Sequence, residues 1–157
     1  MVKLDSTSRL SRLKKRVVLS QSDTTVGFSS QDAPRLQEIK KRGSSKPFIK
    51  IYKSLKSLKR LGPRVPQKFK NSLRRAEKSS FIVKNIAFRI INNSLDSKVL
   101  RDISWYYSTS ANKTGGNFNR NFCEEKTDII IENKDGLKEL SSSSLYKINL
   151  IKKEKIR

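Results

Sequence analysis

The spacing of apolar residues along the chain alternates between the period of strands and the period of helices. The apolar run at residues 17–19 is typical of a buried strand, whereas Leu55, Leu58 and Leu61 lie three residues apart, as on one face of a helix. The pattern predicts strands over residues 16–20, 48–52, 80–83, 86–91, 105–108, 128–132 and 145–151. It predicts helices over residues 32–42, 54–61, 66–76 and 95–103.

Two polar segments interrupt this pattern and are predicted as loops. Residues 21–30 include Gly27 among polar side chains, and residues 111–117 are rich in glycine. Strands and helices alternate early in the chain, and strands crowd its end. On a length of 157 residues this order predicts an α/β fold, a single domain with a twisted mixed sheet flanked by helices. We assign residues 16–157 to this domain and interpret residues 1–15 as a basic N-terminal arm or short helix.

Positive charge is concentrated in the first half of the chain. The protein has 36 lysines and arginines against 14 aspartates and glutamates, a net charge of +22. Residues 1–78 contain 22 basic and 5 acidic residues, and residues 79–157 contain 14 basic and 9 acidic ones. Such an excess predicts a polyanionic partner, and nucleic acid is the usual one, because lysine and arginine release counterions from phosphates. Part of the excess also fits compositional drift in an AT-rich genome, since Lys, Asn, Ile and Ser are abundant.

Missing residue types exclude several classes of site. The chain has no histidine, which excludes Ser-His catalysis, histidine-ligated metals and imidazole acid–base chemistry. Its one cysteine, Cys123, excludes an internal disulfide and a multi-cysteine zinc site, so no metal site is predicted. The longest apolar runs are too short to cross a membrane, and no signal-peptide stretch follows the basic N-terminus. We therefore expect a cytoplasmic protein without membrane contact.

The most informative motif begins at the end of the strand predicted over 105–108. Residues 108–115 read Ser-Thr-Ser-Ala-Asn-Lys-Thr-Gly. A strand that leads into such a loop offers hydroxyls, an amide and free backbone N–H groups, which together suit a phosphate. Taken alone, a cluster of this kind is more often an ordinary turn.

Other segments accompany this motif in a definite order. They are Ser22-Asp23-Thr24-Thr25-Val26-Gly27 after the first strand, Lys40-Lys41-Arg42 ahead of Lys46-Pro47-Phe48, Ala87-Phe88-Arg89-Ile90 on a strand, and Ser143-Ser144 near the end. In order and spacing, the segments resemble the YrdC-like family of threonylcarbamoyl-AMP synthases over residues 16–157. The Ser-Thr-Ser-Ala-Asn block is the most specific of them.

The resemblance implies a YrdC-like fold with an electropositive concave face and a nucleotidyltransferase activity. Members of the family convert L-threonine, bicarbonate and ATP to threonylcarbamoyl-AMP and pyrophosphate. A partner enzyme then transfers the threonylcarbamoyl group to an adenosine beside the tRNA anticodon. The resemblance therefore implies ATP as a substrate, Mg²⁺ on its phosphates, and the tRNA threonylcarbamoyl-transfer machinery as a partner.

The resemblance also implies roles for individual residues. Lys40 and Arg42 correspond to the catalytic cations that hold the ATP phosphates. The further ATP-binding positions are Ser108, Ser110 and Asn112. The positions on the threonine and carbamate side are Ser22, Thr24, Ser80 and Arg89, and the late serine motif is Ser143 and Ser144.

Departures from the family pattern leave a second function open. Gln21 and Gly43 replace prolines, Val26 replaces an aromatic residue, and residues 77–80 replace a Pro-Gly-Pro element. Together with the charge of the first half, these changes fit a catalytically degraded YrdC-like protein that binds tRNA or other structured RNA through a basic face. A basic ribosome-associated protein with accidental motif matches is a third hypothesis.

Overall fold

The computed structural model describes the backbone of Val2–Leu4 and residues 15–41, 43, 47–91 and 103–157. Arg42, and all but the last residue of the helix predicted over 95–103, lie outside the described residues. Within them, the strands are β1 Val2–Leu4, β2 Val18–Gln21, β3 Val26–Ser30, β4 Ile49–Tyr52, β5 Ser79–Val83, β6 Ile86–Ile90, β7 Trp105–Ser110, β8 Ile129–Ile131, β9 Ser144–Ile148 and β10 Lys153–Lys155. The helices are α1 Ala33–Lys40, α2 Leu55–Leu61, α3 Lys70–Arg75 and α4 Arg120–Glu125, with a 3₁₀ turn at Gln67–Phe69.

All of these strands belong to one mixed sheet. Their order across the sheet is β1-β8-β2-β3-β7-β4-β6-β5-β9-β10. At the centre, β3 runs antiparallel to β2 and β7, β7 runs antiparallel to β4, and β4 runs parallel to β6. The predicted fold class, one domain with a mixed α/β sheet flanked by helices, is confirmed.

Helices α1 and α2 begin where the sequence predicts them, whereas the helix predicted over 66–76 is a 3₁₀ turn followed by the shorter helix α3. Asp32 caps α1, since its carboxylate accepts a hydrogen bond of 3.1 Å from the backbone N–H of Arg35. Ser54 caps α2 in the same way through the N–H of Ser57, at 3.1 Å. At the end of α1, Lys41 adopts a left-handed conformation with φ of 46°, which turns the chain away from the helix axis.

The helices pack on one face of the sheet. Leu36 of α1 and Cys123 of α4 are buried in a cluster that contains Phe28, and Leu58 of α2 and Leu73 of α3 are buried in another that contains Phe88. The strand register places these two phenylalanines on the same face. Because side chains alternate between the faces of a sheet, their neighbours in β3 and β6 point to the other face. On that face, Ile51 and Tyr106 of the central strands are buried in a third cluster with Val18, Ile103, Ile129 and Ile131.

One prediction in this region was wrong. Residues 21–30 were predicted as a polar loop, but residues 26–30 form the central strand β3, and all five of them are buried. The hydropathy pattern does not reveal this strand, because the small residues Gly27, Ser29 and Ser30 give no apolar alternation. The strand is held by ladders on both sides, and Ser30 Oγ accepts a hydrogen bond from the N–H of Asp32.

Three further elements were not predicted. Helix α4 lies in a segment left unassigned, although Asn119 caps it through the N–H of Phe122 at 3.0 Å. Strand β10 pairs antiparallel with β9 after a turn. Strand β1 lies within the predicted N-terminal arm and pairs parallel with β8. The division of the chain after residue 15 stays a prediction.

The end of α2 provides a test of the packing. A Cβ added at Gly62 would lie 2.5 Å from Leu58 Cδ1 and 2.9 Å from both the Leu58 carbonyl oxygen and Tyr52 Cζ. We expect Gly62→Ala to lower the free energy of unfolding by about 1–3 kcal/mol, because the helix end must move away from buried Tyr52. The control is Gly116→Ala, whose Cβ would meet nothing closer than 3.6 Å. Chemical denaturation measures both, and equal stability of the two variants would contradict the packing.

Candidate active site

A cleft of about 300 Å³ opens on the face of the sheet opposite the described helices, over β3, β7, β4 and β6. We call it the central cleft. Its apolar lining consists of Pro47, Phe48, Ile49, Ile51, Ile91 and Tyr106. Its polar lining consists of Ser22, Asp23, Thr24, Thr25, Arg89, Ser108, Thr109, Ser110, Ser142, Ser143 and Arg157, with Gly27 on the floor. The lining therefore combines apolar side chains with many hydroxyl groups and two guanidinium groups.

Strand register builds the floor of the central cleft. Ser110 lies opposite Gly27, and Ser108 lies opposite Ile49. One step further along, Ile51 pairs with Tyr106 on one side and with Arg89 on the other. The sequence motifs of three separate strands thus meet on one surface, because the sheet places β7 between β3 and β4.

Arg89 places a buried positive charge in the cleft. Its side chain is 9% exposed, its Nη1 donates to Thr24 Oγ1 at 3.1 Å, and its Nη2 forms an ion pair with Asp23. The turn that carries these partners is rigid, since Ser22 Oγ lies 3.1 Å from Thr24 Oγ1 and donates to the Thr25 carbonyl at 2.7 Å. A guanidinium held beneath hydroxyl groups is suited to a carboxylate or a phosphate.

The C-terminal segment forms another wall of the cleft. Ser143 Oγ is hydrogen bonded to Ser80 Oγ at 2.8 Å, and both serines are buried. Arg157 Nη2 donates to the Ser143 carbonyl at 3.3 Å, and the Arg157 carbonyl accepts from the N–H of Leu145 at 2.9 Å. These contacts bring a second arginine to the cleft from the segment that follows β10.

Lys40 lies under the loop that follows β7. Its side chain is almost fully buried, and its ammonium donates to the carbonyls of Ser110 at 2.9 Å and Asn112 at 2.6 Å and to Asn112 Oδ1 at 2.7 Å. In return, Thr114 Oγ1 donates to the Lys40 carbonyl at 2.6 Å. Lys40 borders a second cavity of about 420 Å³ on the far side of this loop, together with Lys41, Lys113 and Phe122 among others. It therefore acts on the wall of the central cleft through the loop.

The structure brings six of the predicted site residues together in the central cleft. They are Ser22, Thr24, Arg89, Ser108, Ser110 and Ser143. Ser80 lies behind Ser143, Asn112 binds Lys40 inside the loop, and Ser144 begins β9. Arg42 lies outside the described residues. The substrate roles of all these residues stay predictions.

Two charged residues of the cleft were not predicted. Asp23 stands inside the first motif, but no role in the site was predicted for it. Its pairing with Arg89 depends on two strands that are far apart in the sequence. Arg157 follows β10, a strand that was itself not predicted, and nothing in its local sequence indicates a cleft.

Cys123 supports the loop from below. Its thiol is fully buried and donates to the Ala111 carbonyl at 3.2 Å, next to the oxygens that Lys40 binds. Burial raises the pKa of the Cys123 thiol to about 11. The chain has no other cysteine, so a thiol reagent reports on this position alone.

We expect Cys123 to be nearly inert in the folded protein. A raised pKa leaves the thiolate fraction at pH 8 about 100-fold below that of an ordinary thiol, and burial also blocks access. Alkylation by N-ethylmaleimide followed by mass spectrometry should be at least about 100-fold slower in the native protein than in denaturant. Rapid native labelling at pH 8 would show that the loop opens and would contradict this arrangement.

The residues that the structure describes contain no group of three or more Cys, Asp or Glu side chains able to hold a metal ion. Within the same residues, no helix has the length and apolar composition needed to cross a membrane.

Several solved structures share this architecture, although comparison of the sequence alone finds no related protein. No protein-family model matches the chain, and no curated protein matches it by sequence. The chain is similar to Sua5 from P. abyssi in complex with L-threonine, with a TM-score of 0.78 and 15% identity, over 100% of this chain and 57% of Sua5. It thus spans little more than half the length of that protein.

Two shorter proteins are similar over most of their length. E. coli YciO has a TM-score of 0.72 and 15% identity, over 90% of this chain and 82% of YciO. MTH1692 from Methanobacterium thermoautotrophicum has a TM-score of 0.65 and 15% identity, over 90% of this chain and 79% of MTH1692. These neighbours are proteins of the Sua5/YrdC group, and the chain has their fold, the YrdC-like fold that its motifs implied.

Proposed function

We propose that the protein is a threonylcarbamoyl-AMP synthase that acts in tRNA threonylcarbamoyladenosine modification. The observation that supports this most is the convergence of Ser22, Thr24, Arg89, Ser108 and Ser110 on one cleft. These residues come from three motifs of the family pattern, and a neighbour of the same fold is known in complex with L-threonine. The reaction needs positioning and charge neutralisation rather than an imidazole base, which fits a chain without histidine.

The threonine end of the cleft is assigned to the Arg89 corner. The Arg89 guanidinium would receive the substrate carboxylate, and the hydroxyls of Ser22 and Thr24 would orient it. The threonine amine attacks bicarbonate, water leaves, and a carbamate forms. Because the Arg89 guanidinium would neutralise the threonine carboxylate, the newly formed carbamate could approach the ATP phosphates with less charge repulsion.

The ATP end is assigned to β7 and the C-terminal wall. A carbamate oxygen attacks the α-phosphorus, the bond to the β-phosphate oxygen breaks, and pyrophosphate leaves. Ser108, Ser110 and Arg157 line this part of the cleft and would donate to phosphate oxygens as charge moves to the leaving group. Mg²⁺ would enter with ATP on its phosphates. Lys40 fixes the loop that carries Ser110 and so orients these donors.

The test is release of pyrophosphate by purified protein. We expect release only when L-threonine, bicarbonate and ATP are all present, together with formation of threonylcarbamoyl-AMP detected by mass spectrometry. Folded protein that shows no threonine-dependent release would overturn the proposal. Transfer of the product to tRNA requires partner proteins, so the assay is run without RNA and tests this chain alone.

A binding protein that has lost catalysis is the second candidate. The observation that favours it is the position of Lys40, whose ammonium contacts three oxygens of the loop. Thermal shifts with ATP and with threonine separate the two functions. A synthase should be stabilised by each substrate, whereas a degraded cleft should respond to neither and the protein should still bind structured RNA.

A further inference from the structure

Residues 132–143, which we call the strap, connect two strands that lie near opposite ends of the sheet. Strand β8 is second and β9 is ninth in the strand order, so the strap has to pass across the sheet. Leu137 packs against the cluster that contains Phe28, on the side of the helices. Ser142 and Ser143 line the central cleft on the opposite face. The strap therefore leads from one face of the sheet to the other and ends as part of the cleft wall.

The turn between β2 and β3 holds the middle of the strap. The N–H of Lys138 donates to Gln21 Oε1 at 2.8 Å, and the Lys138 carbonyl accepts from the N–H of Val26 at 3.1 Å. Two residues further on, the N–H of Leu140 donates to Thr25 Oγ1 at 3.2 Å. The strap, all of whose residues the structure describes, forms no helix or strand of its own. Its path over the turn therefore depends on these contacts.

The same turn holds the Arg89 corner of the cleft. Ser22 Oγ donates to the Thr25 carbonyl at 2.7 Å, and Thr24 Oγ1 accepts from Arg89 Nη1 at 3.1 Å. Gln21 Nε2 donates to the Ser22 carbonyl at 3.3 Å. Gln21 thus contacts the strap with its side-chain carbonyl and the turn with its side-chain amide.

The far end of the strap holds the second guanidinium of the cleft. The Ser143 carbonyl accepts from Arg157 Nη2 at 3.3 Å, and Ser143 Oγ is hydrogen bonded to Ser80 Oγ at 2.8 Å. The strap therefore joins the turn that holds Arg89 to the wall that holds Arg157. Since the two arginines would bind different reactants, the placement of the strap affects how those reactants are aligned.

The residue type at position 21 makes the contact with the strap possible. Gln21 stands where the family pattern has proline, and a proline side chain has no atom that could accept the Lys138 N–H. From the sequence alone, this change favours a degraded protein. In the structure, it supplies two hydrogen bonds beside Ser22, which lines the cleft.

We propose that Gln21 is a positioning residue, which fixes the strap on the β2–β3 turn and so aligns the Arg89 corner with the Arg157 wall. The part of this inference that concerns catalysis rests on the proposed function. Gln21 lies outside the cleft lining, so it would act through the strap and not on a substrate. Misplacing a bound reactant by about 1 Å can lower a rate about 100-fold, even when the reactant still binds.

Amide hydrogen exchange followed by NMR tests the contact without any substrate. Gln21→Met removes the acceptor and keeps the length of the side chain, whereas Gln21→Glu keeps an oxygen that can accept the Lys138 N–H. In Gln21→Met, we expect the Lys138 amide to exchange at least about tenfold faster. The Leu140 amide, which is bonded to Thr25, should exchange at least about threefold faster, because the strap opens as a unit. In Gln21→Glu, both rates should stay within about twofold of those in the unaltered protein.

Gln67 provides a matched control. It is exposed in the 3₁₀ turn before α3, and its Oε1 also accepts a hydrogen bond, from Lys70 Nζ at 2.6 Å. Gln67→Met should leave both strap amides unchanged. All three variants should melt within about 3 °C of the unaltered protein, because an exposed hydrogen bond contributes little to stability.

The pyrophosphate assay measures what the strap does for the reaction. We expect Gln21→Met to lower kcat about tenfold, with the KM values for threonine and for ATP within about twofold, because each substrate keeps its own contacts. Gln21→Glu should keep at least about half of kcat. A rise in the KM for threonine with unchanged kcat would show a role in binding alone and would overturn the positioning role.

Failure of this inference is distinguishable from failure of the proposed function. Unchanged exchange of both amides in Gln21→Met overturns the inference, whether or not the protein is a synthase. Faster exchange with full kcat removes the positioning role and leaves the synthase. If the unaltered protein releases no pyrophosphate, the synthase is removed, and the exchange rates alone decide whether Gln21 fixes the strap.

Discussion

Replacing Arg89 with methionine is expected to lower threonine-dependent pyrophosphate release by at least about 100-fold. Methionine keeps most of the length of the side chain and removes the charge and the hydrogen bond to Thr24 Oγ1. The cleft would then offer the substrate carboxylate no buried cation at the corner formed by residues 22–24. The loss should appear in the KM for threonine as well as in kcat, because Arg89 would hold the ground state and the transition state alike.

The same substitution should lower stability moderately without unfolding the protein. Arg89 is 9% exposed but its partner Asp23 is 31% exposed, so the carboxylate that remains is still reached by water. We expect a decrease of about 1–3 kcal/mol in the free energy of unfolding, within the range for leaving one partner of a hydrogen-bonded pair unmatched. Thermal melting beside the turnover assay separates a lost site from a lost fold.

Arg120 in helix α4 provides a matched control. Arg120 also contacts two partners, Glu124 at 2.7 Å and Glu132 at 2.8 Å, but it is 43% exposed and lies away from the cleft. Arg120→Met should leave turnover unchanged and cost less than about 1 kcal/mol, as is usual for exposed ion pairs. If Arg89→Met and Arg120→Met reduced turnover equally, Arg89 would have no special role in the reaction.

The sequence predicted those elements whose periodicity and end signals lie within the element itself. The helix over 54–61 and the strand over 48–52 each have their own periodicity and end signals, and both are confirmed within a residue. Strand β3 was missed because Gly27, Ser29 and Ser30 give no apolar alternation. Its conformation is imposed by β2 and β7 on either side, which is information that no window along the chain contains.

The residues of the candidate site likewise divide into those that local sequence predicts and those that only strand pairing places. Ser108 and Ser110 could be predicted because they lie in one short block, Ser-Thr-Ser-Ala-Asn, that resembles a motif of the family. Asp23 and Arg157 could not, since their places in the cleft follow from pairing across the sheet. Lys40 lies between these two cases. Its motif was found, but only the structure shows that its ammonium contacts the loop of the other motif.

Lys40→Met is the second substitution with a large expected effect. It leaves the carbonyls of Ser110 and Asn112 without the donor they share at a part-buried position, where each unmatched group costs up to about 1–3 kcal/mol. Water reaching the loop would offset part of this loss, so we expect a decrease of about 2–4 kcal/mol in total and a fall in Tm of about 5–15 °C. Lys41→Met is the control, because Lys41 is the exposed next residue.

Turnover at low temperature shows what Lys40 does for the reaction. At 10 °C the variant should still be folded, so a loss of pyrophosphate release there reflects the geometry of the loop rather than unfolding. We expect a loss of at least about 100-fold with the KM for threonine unchanged, because Lys40 lies under Ser110 and not at the Arg89 corner. A variant that melts like the unaltered protein would contradict the positioning role and favour direct contact with ATP phosphates.

The two substitutions together test the division of the cleft into two ends. Arg89→Met should weaken the stabilisation of the protein by threonine and leave its stabilisation by ATP intact, and Lys40→Met should do the opposite. Such a crossed pattern needs two separable substrate regions, one at the Arg89 guanidinium beside Thr24 and one at the Ser110 loop that Lys40 holds. If each variant lost both responses, the cleft would act as one unit, and the assignment of separate threonine and ATP ends would be wrong.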